Sequence, residues 1–77
     1  MEIGFLVRSI QGRDKGKVYV IYRLVDKDFV ELVNGDTRKI DNPKRKRVKH
    51  IEVVDKSPKT DNQLSSDSDI KKLCKII

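Results

Sequence analysis

Two apolar runs, Phe5–Ile10 and Val18–Leu24, are joined by Gly12-Arg13-Asp14-Lys15-Gly16-Lys17, and this arrangement constrains the fold more than any other feature of the chain. In the second run Val18, Val20, Tyr22 and Leu24 alternate with Tyr19, Ile21 and Arg23, the two-residue period of a β-strand. β-Branched or aromatic residues on both faces mark a central strand, covered on each side. Phe5–Ile10 reads as the strand before it, although Arg8 and Ser9 interrupt the alternation. The connection must then be tight. Gly12 and Gly16 shape it, because glycine takes positive φ or lets another group approach closely. Arg13, Lys15 and Lys17 stand on or beside that loop. A glycine-held backbone with cationic side chains suits contact with phosphates.

The rest of the chain continues in short strands. Asp26-Lys27-Asp28 is a charged turn and Phe29–Val33 a third strand. Asn34-Gly35 is a two-residue hairpin signal, which makes Thr37–Ile40 the expected return strand. Asp41-Asn42-Pro43 breaks regular structure, since Pro43 drives Asn42 out of the helical region. Val48–Val54 is the last expected strand, with Lys49, Ile51 and Val53 on one face and Val48, His50, Glu52 and Val54 on the other. Five strands with tight turns and no helix between them predict a mainly β chain, a small antiparallel barrel.

Beyond residue 54 the character changes. Residues 55–69 are polar and read as a flexible linker. Residues 70–77 read as a short amphipathic helix, because Ile70, Leu73, Cys74 and Ile77 keep the spacing of one helix face. Ser66 and Asp69 have capping-box spacing. So short a helix is unstable alone and must dock on the barrel, bind a partner or fray.

The net charge is +6, and its position is the useful part. Residues 1–36 carry six basic and six acidic side chains; residues 51–77 carry five of each. Residues 37–50 carry Arg38, Lys39, Lys44, Arg45, Lys46, Arg47 and Lys49 against Asp41 alone, so the whole excess lies in 14 residues. Such a field attracts polyanions. A solvated loop and a short nuclear import signal are the competing readings of Pro43–Lys49. His50 follows the run, and either is merely structural or contacts a base or phosphate.

Val7-x-x-Ile10-x-Gly12-Arg13-Asp14-Lys15-Gly16-Lys17 resembles the KOW motif of ribosomal proteins and NusG-type elongation factors. The similarity extends through Lys39-Ile40-Asp41-Asn42-Pro43-Lys44-Arg45-Lys46 to Lys49-His50-Ile51, roughly residues 3–54. Over that span the chain resembles a small bacterial KOW-domain protein related to archaeal and eukaryotic large-subunit ribosomal proteins. Many KOW sequences carry a further glycine where this chain has Tyr19, which speaks against the elongation-factor branch more than the ribosomal one. The resemblance implies an SH3-like barrel over residues 1–54. It also implies contact with structured ribosomal RNA through Arg13, Lys15, Lys17, Arg38, Lys39, Lys44, Arg45, Lys46, Arg47, Lys49 and His50. Two other classes stay open: a protein–protein module of the translation or transcription machinery, and a non-specific DNA-binding accessory protein.

No catalytic constellation stands out, so the chain is expected not to be an enzyme. His50 is the only histidine and Cys74 the only cysteine, too few for a Cys/His metal site or an internal disulfide. No cofactor is expected. The expected partners are RNA and a ribosomal protein, with no membrane, for a monomer that is cytoplasmic and ribosome-associated. Met-Glu-Ile-Gly lacks the features of a signal peptide.

Overall fold

The computed structural model describes residues 1–75. The chain forms β1 (Leu6–Ser9), β2 (Val18–Leu24), β3 (Phe29–Val33), β4 (Lys44–Arg47), β5 (Ile51–Asp55) and α1 (Asp67–Cys74). One antiparallel sheet has the order β4-β3-β2-β1-β5. Its strands curl into an SH3-like barrel that does not close, so β4 and β5 are edges, linked by a 3-10 turn at Val48–His50. β2 lies at the centre of the sheet, as its two apolar faces predict.

The two faces of the sheet bury different clusters. Val7, Tyr19, Ile21, Val30, Leu32 and Ile51 pack inside the barrel. Leu6, Val20 and Val33 point the other way and are covered by Ile70 and Leu73 of α1. Ile70 is fully buried and Leu73 nearly so. Burial of each contributes about 1.5–3 kcal/mol, which offsets the nucleation cost that makes an isolated eight-residue helix unstable. Ser66 caps α1: its hydroxyl accepts from the Asp69 N–H at 3.2 Å and donates to the Asp69 carboxylate at 2.9 Å. Ile77, the last position of the predicted apolar face, lies outside the described residues. Between β5 and α1, Thr60 and Gln63 form a capping box on a 3-10 turn at Asp61–Leu64.

Asn34-Gly35 does not make a hairpin, and Thr37–Ile40 is not a strand. The strand that pairs with β3 is β4, the basic segment itself, with Phe29 opposite Arg47 and Leu32 opposite Lys44. The helix accounts for the difference. Gly35 has φ +75°, and a Cβ there would collide with the Asp67 carbonyl oxygen and stand 2.7 Å from the Lys71 nitrogen. Asn34 Oδ1 accepts from the N–H groups of Asp36 and Arg38, and the Ile40 N–H donates to Asp67 Oδ1 at 2.8 Å. The 34–40 segment is therefore a loop clamped onto α1, and its backbone is not available for strand pairing.

The last strand also starts later than its pattern suggests. Val48–His50 form the 3-10 turn, and β5 begins at Ile51. The turn breaks the alternation, so Val48 packs with Val53 against the inner cluster instead of facing away from it.

Candidate nucleic-acid interface

The loop between β1 and β2 is held from within. Its neck closes through Ser9 N–H to the Lys17 carbonyl at 2.9 Å and Gly16 N–H to the Ser9 carbonyl at 2.8 Å. Lys15 N–H reaches the Gly12 carbonyl and Lys17 N–H the Asp14 carbonyl, two successive turns. Gly12 and Gly16 sit at φ +92° and +93°, where a side chain is strained. Arg13, Lys15 and Lys17 stay exposed at the rim.

Asp14 is the hub beneath that rim. Its side chain is 8% exposed and accepts three hydrogen bonds: Ser9 Oγ at 2.8 Å, Tyr19 Oη at 2.9 Å and Lys46 Nζ at 2.9 Å. Lys44 Nζ lies 3.7 Å away. Burial alone would raise the Asp14 carboxyl, but the bonds from Lys46, Ser9 and Tyr19 and the charge of Lys44 outweigh it and hold the group well below the usual carboxylate range. Burial, and then the bond and charge of Asp14, push the Tyr19 phenol up. Tyr19, in the place of the usual KOW glycine, is thus a buried member of the core and of this network.

β4 divides its four cations by face. Lys44 and Lys46 point to the Asp14 side, and Lys46 also donates to the Gln11 carbonyl at 2.8 Å, leaving its side chain 10% exposed. Arg45 and Arg47 point outward and are exposed; their guanidinium carbons lie 4.5 and 4.9 Å from the centre of the Phe29 ring. Lys46 therefore ties the basic strand to the glycine loop, 32 residues earlier in the chain than itself. Lys49 is exposed and His50 half-buried on the 3-10 turn, where the His50 carbonyl accepts from the Ile10 N–H at 2.9 Å. Arg38 and Lys39 lie apart from β4, on the loop clamped to α1.

The structure thus joins Arg13, Lys15 and Lys17 to β4, and sets Arg38 and Lys39 to one side of that junction. Sequence reasoning missed Asp14 as the organiser, because nothing local links it to a lysine so distant in sequence. It also treated four consecutive cations as equivalent, whereas alternation in a strand separates them. Among the described residues, no group of three His, Cys, Asp or Glu side chains could hold a metal ion, and no helix is long and apolar enough to cross a membrane.

A five-stranded SH3-like sheet whose cationic edge strand is locked to a cationic glycine loop defines a small basic barrel protein. No family model matches the chain. It is 38% identical over 73 residues to the large ribosomal subunit protein eL14 of Sulfolobus acidocaldarius, an alignment that covers 92% of this chain and 73% of that protein. The chain belongs to the eL14 family of large ribosomal subunit proteins.

Proposed function

We propose that this protein binds structured ribosomal RNA as a non-catalytic, ribosome-associated protein of translation, through the surface made by the Gly12–Lys17 loop and β4. The single observation that carries this reading is the Lys46 bridge. It brings β4, with four of the seven cations of residues 37–50, against the glycine loop, so cations distant in sequence become neighbours. Arg13, Lys15, Lys17, Arg45, Arg47 and Lys49 are the exposed contacts, and Lys44 and Lys46 hold the loop in place from beneath. Recognition is by phosphate position and RNA shape, with few base-edge contacts. Arg38, Lys39 and His50 flank the surface. The protein acts in the cytoplasm as a monomer bound to RNA and neighbouring ribosomal proteins.

Binding to deproteinised large-subunit ribosomal RNA tests this. With about 4–6 phosphates engaged, log K falls against log salt with a slope of roughly −3 to −5. A slope near zero overturns the electrostatic mechanism. Equal affinity for duplex DNA in direct competition overturns the preference for RNA, since only RNA offers a 2′-hydroxyl and A-form geometry.

A further inference from the structure

Residues 51–77 carry equal numbers of acidic and basic side chains, so their net charge suggests no partner. The fold undoes that balance. Asp67 accepts from the Ile40 N–H and Asp69 from the Ser66 hydroxyl, so both acids are engaged at the N-terminal end of α1. Lys71 and Lys75, one turn apart, are exposed further along the helix. They line an open cleft with Lys17 from the glycine loop and with Asn34 and Thr37; among the described residues, Asp36 is the one carboxylate on its wall. Among the described residues, no ion pair engages Lys17, Lys71 or Lys75.

We infer that this cleft is a further phosphate site for the same RNA, which seats a phosphodiester between Lys17, Lys71 and Lys75. The inference rests on the RNA-binding reading above and extends the surface around the barrel to α1. Three ammonium groups oppose Asp36 and about half a negative charge from the C-terminal end of the helix, so the cleft stays cationic. The Asn34 amide donates to Thr37 Oγ1 at 3.0 Å, which leaves the Thr37 hydroxyl hydrogen free to meet a phosphate oxygen. The cleft is also pre-formed. Gly35 lies against the α1 backbone, and the Asp67–Ile40 bond pins the loop that carries Thr37. The wall that carries Asn34 and Thr37 is therefore fixed against α1 before binding, and only the exposed lysine side chains have to order.

The test is the double variant Lys71→Gln/Lys75→Gln, titrated with deproteinised large-subunit ribosomal RNA at several salt concentrations. Both side chains are exposed, so thermal melting should match the unaltered protein. Affinity should fall several-fold, and the slope of log K against log salt should shrink by about 1–2. Lys72→Gln, on α1 but outside the cleft lining, should change little. Unchanged affinity and slope in the double variant, while the unaltered protein binds, overturns the cleft and leaves the barrel surface standing. A loss from Lys72→Gln as large as that of the double variant also overturns it. Inorganic phosphate at millimolar concentration should leave the Lys71 and Lys75 amide resonances in place; saturable shifts would assign the cleft to a free anion instead. If the unaltered protein binds no RNA, both readings fall together.

Discussion

Replacing Asp14 by asparagine removes one negative charge and leaves the volume almost unchanged. Three donors converge on that carboxylate, from Ser9, Tyr19 and Lys46, at 2.8–2.9 Å. Hydrogen bonds to a charged group contribute about 1.5–3 kcal/mol each, though not additively. An amide still accepts from Ser9 or Tyr19 but cannot neutralise Lys46, whose side chain is only 10% exposed. Breaking a buried ion pair costs about 3–5 kcal/mol, and Lys44, 28% exposed, places this one near the rim. The expected loss is therefore about 3 kcal/mol. A chain of this length has total stability of about 4–12 kcal/mol, and each kcal/mol shifts Tm by about 4–8 °C, so melting should fall by roughly 12–24 °C. Urea unfolding followed by tyrosine fluorescence and far-ultraviolet circular dichroism measures it directly, since the chain has no tryptophan. The pH dependence has a definite sign. The folded-state pKa of Asp14 lies below its ordinary 3.8, so its contribution is full above about pH 5 and is lost as pH falls through 3.8 and below. The stability gap between the unaltered protein and Asp14→Asn should close in that window. A gap below about 1 kcal/mol at neutral pH, or one that stays constant down to pH 2, refutes the reasoning.

Further outcomes follow from the packing. Gly35→Ala puts a methyl group against the Asp67 carbonyl at φ +75° and should cost about 2–4 kcal/mol; amide exchange should show α1 opening first, and protection of Ile70 equal to that of the unaltered chain would contradict the contact. Ile70→Ala should cost about 2–5 kcal/mol by leaving a cavity under the helix, read from the urea midpoint at unchanged m-value. Burial pushes the Cys74 thiol up to about 11, so alkylation at pH 8 should run about 100-fold slower in the folded protein than after denaturation. In RNA binding, Arg45→Gln and Arg47→Gln should each reduce the salt slope by about 1, whereas Lys46→Met should lower stability as well, because its ammonium is bonded to Asp14 and Gln11.

The local sequence determined β1, β2 and β3 and the loop between the first two. The alternation of Val18–Leu24, the run Phe29–Val33 and the two glycines at 12 and 16 are short-range signals, and the elements follow them within a residue or two. The helix cap at Ser66 is equally local. The excess charge of residues 37–50 also needed no fold to be seen. Only the tertiary structure decided what those charges do. Asn34-Gly35 has the residues of a hairpin turn, yet Gly35 serves a helix more than thirty residues later, because only a residue without a Cβ lets the α1 backbone approach. The Lys-Arg-Lys-Arg run lacks the apolar alternation that marks a strand, so nothing local divides it. Pairing with β3 makes it one, and the pleat then sends its lysines to Asp14 and its arginines to Phe29. Asp14 itself reads as one acid among cations in a loop. Its low pKa and its hold on the loop come from three donors that the chain brings together only by folding, since hydrogen bonds depend on distance in space and not on order in the sequence.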